Sequence, residues 1–308
     1  MSDIVPDICI ISDGKPGHLN QSLGLVEALL RTNASLTYKV CPPASCWHLL
    51  KLLITHLFTT PAPSEVRLFV AAGHRTHLTL LVYKWCFGRK TDAKAVVLMQ
   101  PSLPLRWFDL CLIPEHDQPA SMPNVIETWG ALNRVQPGIK AKNTGLILIG
   151  GPSKHFDWDE RQVINQLKLI LEQKEEHKEG IDWILTTSRR TPESFLVSLS
   201  AAQLKINIVP CAQTGKDWLP EQLATAGTCW VTEDSVSMVY EALTAGCRVG
   251  LIELNSKTDS RIARGLARLR ASGRVRSLKQ PGNPSEKVLP ALAEARRCAD
   301  LIIKKGWI

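Results

Sequence analysis

The sequence predicts an α/β fold with two doubly wound parallel sheets, one after the other along the chain. Aliphatic and β-branched runs alternate with segments of helix length, which is the pattern of parallel βαβ units. The alternation stops at the polar segment Gly138–Gly145 and then restarts. The length of 308 residues also suits two domains of about 150 residues each.

The first half carries the signals for six strands and three helices. Strands are predicted at 7–11, 36–40, 67–71, 95–99, 110–114 and 125–128, with helices at 19–30, 45–58 and 76–87. The helix at 45–58 is apolar on nearly every side, so a buried position in the core is the favoured interpretation. The alternative joins it to the aromatic and basic run Val82–Lys90 in a membrane-facing patch.

The second half repeats the pattern after Gly138–Gly145, which we interpret as a linker. Strands are predicted at 146–149, 183–187, 206–209, 228–231 and 248–254, with helices at 159–179, after 191, after 235, at 260–272 and at 285–305. Asp234 and Ser235 offer side-chain oxygens that cap a helix, and Gly246 suits its end. We therefore expect domains at 1–140 and 141–284 and a C-terminal helix at 285–308.

The basic charge of the chain lies in its C-terminal tail. Residues 261–308 hold twelve Lys or Arg and three Asp or Glu, whereas residues 1–260 hold 25 basic and 26 acidic residues. Such a tail attracts phosphates, nucleic acid or an anionic membrane surface, and a solvated helical face is the simpler interpretation. We predict no nucleic-acid partner and keep peripheral contact with an anionic membrane as an option.

Cysteine usage and the N-terminus favour a cytoplasmic protein. The nine cysteines include no C-x-x-C pair, which favours reduced thiols over disulfides or a metal site. The N-terminus lacks a basic stretch followed by a long apolar run, and no apolar run approaches the roughly 18 residues of a membrane span. We predict a cytoplasmic location, with peripheral attachment to the inner face of the membrane as the alternative.

The turn after the first strand contains several reactive side chains. In an open α/β sheet, ligands bind beyond the carboxyl ends of the strands. The turn DGKPGH, Asp13–His18, has two glycines that permit close backbone approach, and its Lys15 and His18 can meet an anion or move a proton. It matches neither GxGxxG nor a Walker loop, and an ordinary polar turn is the alternative. The candidate acceptor-side residues are Lys15, Gly17, His74, Arg75 and Gln100.

Three histidines of the first half raise the question of a metal. His74, His77 and His116 follow predicted strands. Neither HExxH nor a matching carboxylate pattern accompanies them. We therefore predict no metal site.

Residue types that bind phosphate follow the strands of the second half. Two glycines and a serine after its first strand suit a backbone that contacts phosphate, and a tight strand–helix turn is the alternative. A serine and two arginines after the next strand suit a clamp on a diphosphate, or an ordinary surface loop. These candidates are Gly150, Gly151, Ser153, Ser188, Arg189 and Arg190.

One acidic residue lies near the apolar face of the helix that follows Ser235. This residue, Glu241, can accept two hydrogen bonds from a vicinal diol. The N-terminus of the same helix, with Ser235 and Ser237, can face an anion. A diol and an anion on one helix suggest a nucleotide ribose with its phosphates.

These motifs resemble the donor domain of GT-B glycosyltransferases, such as the peptidoglycan N-acetylglucosaminyltransferase. GGPS stands where that family has a glycine turn, and DSVSMVYEALTAGCRV stands where it has a ribose-binding Glu followed by AAGLP. The resemblance implies a ribose role for Glu241, two Rossmann-like domains that face a cleft, and a C-terminal helix that crosses back to the first domain. It also sets GKPGH, with His18, in the place of a Gly-rich loop. VVLMQPS, however, lacks the His and Glu of the family's HEQN segment.

Over both halves, the chain resembles the family named for a plant mitochondrial-fission factor, elongated mitochondria. The stretches SDGKPGHLNQSLGL, TTSRRTP and VTEDSVSMVYEA carry this resemblance. Bacterial members of that family are regarded as glycosyltransferases. The resemblance therefore implies sugar transfer on a GT-B-like fold.

The leading hypothesis is transfer of a sugar from a nucleoside-diphosphate sugar to an acceptor, such as a cell-envelope glycan or a lipid-linked molecule. His18 or Asp13 is the expected acceptor-side base. The donor-binding set is Gly150, Gly151, Ser153, Ser188, Arg189, Arg190, Ser235, Ser237 and Glu241, with no metal and no cofactor beyond the co-substrate. One alternative is a non-catalytic binding or scaffold protein on a degenerate GT-B fold, as in organelle-fission factors, which the missing HEQN residues favour. Another is a nucleotide-sugar 2-epimerase.

Overall fold

The chain forms two compact units, one inserted into the other along the sequence. A computed structural model describes residues 6–58, 66–87, 92–172, 180–215, 217–257, 260–279 and 289–308. Unit 1 consists of Met1–Arg134 with Ala293–Ile308, and unit 2 consists of Val135–Leu292.

Unit 1 is built on a parallel sheet. Its elements are β1 (Ile8–Ile11), α1 (Pro16–Thr32), β2 (Tyr38–Cys41), α2 (Cys46–Phe58), β3 (Leu68–Ala72), α3 (His77–Phe87), β4 (Lys94–Leu98), β5 (Leu110–Pro114) and β6 (Val125–Thr128). Across the described residues the strand order is β2-β1-β3-β4-β5-β6, and every pairing is parallel. The chain lays β2 on one side of β1 and then returns to lay β3 on the other, so the order reverses between β1 and β3.

Unit 2 repeats this architecture. Its elements are β7 (Ala141–Leu148), α4 (Glu160–Glu172), β8 (Asp182–Thr186), α5 (Glu193–Ala201), β9 (Asn207–Val209), α6 (Trp218–Thr225), β10 (Ala226–Thr232), α7 (Val236–Ala245), β11 (Arg248–Ile252), α8 (Arg261–Ala271) and β12 (Val275–Ser277). The strand order is β12-β11-β10-β7-β8-β9, again parallel throughout the described pairings. Here the order reverses between β7 and β10. The last helix, α9 (Glu294–Lys304), belongs to unit 1.

The cores of both units are mainly aliphatic, as is usual for parallel sheets covered on both faces. In unit 1, Leu25 and Leu29 of α1 and Cys298 and Ile302 of α9 are fully buried on one face of the sheet. The other face packs on Leu80 of α3. The prediction of two doubly wound α/β sheets is confirmed.

Three local predictions are corrected by the structure. The segment interpreted as a linker is in part the polar beginning of β7, because the strand already starts at Ala141. The final helix begins at Glu294 and not near 285, and residues 285–288 of the expected helix lie outside the described residues. The short elements α6 and β12 were not predicted, since eight and three residues give little periodicity.

The core position expected for the helix at 45–58 is wrong. Of the α2 side chains described, only Leu49 is buried, and Trp47 is 79 % exposed. Apolar character on all sides therefore did not indicate a core helix here. The chain instead leaves an apolar face of α2 uncovered by described residues.

Candidate functional site

Each unit has one point where the strand order reverses, and the loops at these two points hold most of the candidate residues. In doubly wound sheets the crevice at such a switch point is the usual ligand site, because the loops on either side diverge there. In unit 1 the flanking loops follow β1 and β3, and in unit 2 they follow β7 and β10.

At the switch point of unit 1, a carboxylate and an imidazole form a close pair. His18 Nδ1 lies 3.1 Å from both Asp13 Oδ1 and Oδ2. The Asp13 side chain is 1 % exposed, whereas that of His18 is 18 % exposed. Gly73, directly after β3, closes the other side with a φ of +88°, and a Cβ on it would overlap the His18 ring. The two loops thus hold this imidazole in one place.

The environment of Asp13 keeps its carboxylate ionised. Burial raises the pKa of Asp13, but the backbone N–H of Lys15 and the His18 side chain donate hydrogen bonds that lower it, and the net shift is downward. An ionised Asp13 favours the tautomer of His18 with the proton on Nδ1, which leaves Nε2 as a proton acceptor. The pair therefore has the arrangement of an oriented general base.

The other candidates of unit 1 lie around this pair at the surface. Lys15, Gly17, His74, Arg75 and Gln100 are all exposed. They are on the loops after β1, β3 and β4 or, for Gly17, in the first turn of α1, at the carboxyl end of the sheet. The described part of the chain has no cluster of three or more His, Cys, Asp or Glu side chains suited to a metal ion.

His77, in contrast, is buried beneath these residues. Its side chain contacts Ser102 Oγ at 3.3 Å through Nδ1, and its Nε2 has no hydrogen-bond partner among the described residues. Burial, together with the nearby His74 and His18, lowers the pKa of His77 to about 4. His77 is therefore neutral at pH 7.

At the switch point of unit 2, the glycine turn is built around a carboxylate of the opposite loop. Gly151 N–H donates to Asp234 Oδ2 at 3.0 Å, and Gly150 N–H donates to Thr232 Oγ1 at 2.7 Å. A Cβ on Gly150 would overlap the Asp234 carboxylate, and one on Gly151 would overlap the Arg190 carbonyl. The two glycines are thus required by close packing of protein against protein.

The two adjacent arginines have different roles. Arg190 lies 2.7 Å from Asp234 Oδ2 and also donates to the carbonyls of Gly151 and Pro152. Arg189 is exposed and makes no hydrogen bond or ion pair with a described residue. Of these two arginines, Arg189 is therefore the one whose guanidinium group is available to an added anion.

Next to this turn, several donor-binding candidates line one cavity. The cavity has a volume of about 350 Å³ and lies at the carboxyl ends of β8 and β9 and the start of α7. Its walls include Ser188, Arg189, Arg190, Ser235 and Ser237. A volume of this order is within the range of small-molecule sites. Ser153 is not part of this lining, because its hydroxyl accepts the N–H groups of His155 and Phe156 within its own turn.

The predicted capping of α7 is wrong. Ser235 occupies the N-cap position, but its side chain caps no backbone N–H. Asp234 is engaged with the glycine turn, and its Oδ1 is buried without a described partner. The first N–H groups of α7 thus lack the expected caps. The end of the helix is as predicted, with Gly246 in the left-handed region at a φ of +85°.

Glu241 lies one helical turn beyond Ser237 on α7. It is half-buried and forms no hydrogen bond or ion pair with the described part of the protein. Burial raises the pKa of Glu241 to about 7. A half-buried carboxylate without a partner is costly for a fold, which makes Glu241 a candidate ligand-binding residue.

Sequence reasoning missed Thr191 and the supporting roles of Ser188 and Asp234 at the turn of unit 2. Thr191 Oγ1 and Ser188 Oγ both donate to the Gly150 carbonyl. Asp234 was considered only as a cap, although its adjacency to a glycine turn depends on the strand order. No periodicity in the sequence encodes which strands are neighbours, so this contact required the structure.

The comparisons with known proteins agree with this architecture. The family model described as mitochondrial fission ELM1 matches residues 16–305. An uncharacterized protein of Rickettsia prowazekii (strain Madrid E) is 24% identical, over 78% of this chain and 81% of its own.

Two solved structures resemble the fold across nearly the whole chain. The UDP-GlcNAc 2-epimerase of Methanocaldococcus jannaschii has a TM-score of 0.58 and 11% identity, covering 96% of this chain and 99% of its own. MurG of Acinetobacter baumannii has a TM-score of 0.51 and 13% identity, covering 97% and 100%. At this identity the likeness concerns the fold, which is GT-B-like.

Proposed function

The chain belongs to the mitochondrial fission ELM1 family, and from that premise we propose that it transfers a sugar from a nucleoside-diphosphate sugar to an acceptor. One observation carries this proposal: the unpartnered Glu241 carboxylate lies on α7 one turn beyond Ser237, which lines the cavity at the α7 N-terminus. A carboxylate and an uncapped helix N-terminus at this spacing suit a ribose diol and a diphosphate.

Within unit 2, we propose that Arg189 and the first backbone N–H groups of α7 stabilise the negative charge of the leaving diphosphate. Positive groups fixed before the reaction stabilise a developing anion without reorganisation. Arg190 holds Asp234 and the glycine turn in place, and so acts on the donor only through the shape of that turn. The protein supplies this positive charge itself, and we propose transfer that needs no metal.

Within unit 1, we assign the acceptor-side base to His18, oriented by Asp13. His18 Nε2 would take the proton of an acceptor hydroxyl as that oxygen attacks the anomeric carbon. The proposed acceptor contacts are the exposed residues around this pair: Lys15, Gly17, His74, Arg75 and Gln100. The acceptor class we favour is a cell-envelope glycan or a lipid-linked molecule, reached from the cytoplasmic side. All nine cysteines are free thiols, which fits that reducing compartment.

Isothermal titration against a panel of nucleotide sugars tests the donor site. We expect one of them to bind, and Glu241→Ala to weaken that binding at least about tenfold because the ribose loses a bidentate acceptor. Glu193→Ala, an exposed carboxylate on α5, is the matched control and should bind as wild type. Absence of binding by the whole panel, or equal binding by Glu241→Ala, would overturn the proposal.

A non-catalytic binding role is the second candidate, and one contact favours it. The Asp234 carboxylate already lies at the switch point of unit 2, beside the glycines expected to face phosphate. If no nucleotide sugar binds, this carboxylate is the simplest reason. Where binding occurs, product analysis without acceptor distinguishes free nucleoside diphosphate, expected for a transferase, from a 2-epimer, expected for an epimerase.

A further inference from the structure

One face of α2 is apolar and is not covered by any described residue. Trp47, Leu50 and Ile54 are 79%, 47% and 48% exposed. Positions three and seven residues after the first lie on one side of an α-helix, and Leu49, the one buried side chain described, points to the opposite side. The exposed residues therefore form a continuous apolar stripe along α2.

The neighbouring helix α3 adds a second apolar stripe. Leu78 and Trp85 are 53% and 41% exposed and lie two turns apart on one face. α3 packs against α2, and Ala44, just before α2, donates its N–H to Thr79 Oγ1 of α3 at 3.0 Å. By comparison, the exposed Leu169 and Val197 of unit 2 are single residues on separate helices, as is ordinary for a protein surface.

The charge around these two helices is strongly one-sided. Between Glu27 and Asp92 the sequence contains eight Lys or Arg and a single acidic residue, Glu65. Lys39, Lys51 and Arg75 are exposed in this region, whereas Lys84 is neutralised by Asp109 at 2.7 Å. The first 260 residues as a whole are close to neutral, so the segment that contains α2 and α3 is more basic than the rest of that stretch.

We propose that the exposed faces of α2 and α3 dock unit 1 on an anionic lipid bilayer. Trp and aliphatic side chains of a helix lying in the interface plane enter the boundary between headgroups and acyl chains. Lys and Arg beside them attract anionic headgroups. None of the described helices is long and apolar enough to cross the bilayer, so the attachment is peripheral. The proposal does not depend on sugar transfer.

Vesicle co-sedimentation of the full chain tests this docking surface. We expect binding to vesicles of phosphatidylcholine containing about a third phosphatidylglycerol, weaker binding to phosphatidylcholine alone, and loss of the difference at high salt. Trp47→Ala with Ile54→Ala should lower the partition coefficient at least about tenfold. Leu169→Ala with Val197→Ala removes comparable exposed apolar groups from unit 2 and should bind as wild type. Equal loss in both double variants, or no binding to anionic vesicles, would overturn the proposal.

Two further measurements separate a bilayer from other occupants. Brominated lipids should quench the fluorescence of the wild type more than that of Trp47→Phe, which keeps the apolar face and the fold. A dimer in solution that Trp47→Ala with Ile54→Ala dissociates, with unchanged vesicle binding, would assign the face to a second copy and overturn the lipid assignment.

Discussion

The switch points of the two units each hold a buried carboxylate against a basic side chain, but the basic partners differ. In unit 1 the partner of Asp13 is the titratable, partly exposed His18, with one ring nitrogen left over. In unit 2 the partner of Asp234 is Arg190, which keeps its charge at all relevant pH values and uses its guanidinium on three protein groups. The first pair can exchange a proton, and the second can only hold shape and charge. The switch point of the repeated fold thus holds a pair suited to proton transfer in unit 1 and a pair suited to a structural role in unit 2.

The largest expected effect lies on the proton-exchanging pair. His18→Gln keeps a polar side chain but removes the base, so we expect turnover to fall by about 10² to 10⁴. Binding of the nucleotide sugar identified by titration should stay as in wild type, since that site is assigned to unit 2. Single-turnover product formation measures the first quantity, and unaltered turnover would remove the base assignment.

Removing the Asp234 carboxylate at the switch point of unit 2 should mainly lower the stability of the fold. Asp234→Ala leaves Arg190 and the Gly151 N–H without their partner, at a cost of about 3 kcal/mol in the free energy of unfolding. Urea unfolding measures the change. Asp157→Ala breaks only an exposed pair with Lys257 and should cost less than about 1 kcal/mol. A stable Asp234→Ala variant would mean that this carboxylate is kept for a ligand.

Glu241 of unit 2 and Asp13 of unit 1 should change the pH dependence of stability with opposite signs. The pKa of Glu241 is raised to about 7 by burial, so its contribution to stability is present at low pH and is lost as the pH rises towards and through 7. Glu241→Gln should therefore stabilise the protein by about 1 to 3 kcal/mol at pH 8 and by little at pH 4.5. The pKa of Asp13 is lowered, so Asp13→Asn should lose stability at neutral pH and approach wild type in acid. Urea titrations at several pH values compare them, and parallel profiles for the two variants would contradict this assignment.

The smallest effect is expected from two glycines of unit 1 that differ only in their surroundings. Gly73→Ala combines a φ of +88° with overlap of the His18 ring and should cost about 1 to 3 kcal/mol. Gly17→Ala meets nothing within 4 Å in the first turn of α1 and should be neutral or stabilising by about 0.5 kcal/mol. Thermal unfolding of both variants gives the comparison, and equal midpoints would show that the loop after β3 yields to the new methyl group.

Much of the fold followed from periodicity and composition, whereas contacts across the sheet did not. β5 and β6 were predicted at their observed bounds, because short aliphatic runs between polar turns are a strong signal. The polar residues Lys142 and Asn143 of β7 gave the opposite signal, since they occupy its exposed beginning. The core position predicted for α2 was wrong because apolar composition does not distinguish a helix buried in the core from an apolar helix at the surface.

The candidate site shows the same division. Asp13 and His18 are five residues apart, so their proximity could be expected from the sequence. The contact of Asp234 with Gly151 spans 83 residues and depends on the strand order of unit 2. The sequence also could not predict that Arg190 binds Asp234 while Arg189 stays exposed, because that contact depends on the same strand order.

The insertion of unit 2 into unit 1 has a consequence for synthesis on the ribosome. α1, which carries the buried Leu25 and Leu29, packs against α9, whose Cys298 and Ile302 are made only after all of unit 2. Unit 2 is continuous in sequence, whereas unit 1 is complete only after α9 has been made, and until then the side of α1 that packs against α9 is exposed. We therefore expect unit 2 to fold before unit 1 during synthesis. The segment expected to need a chaperone first is α1.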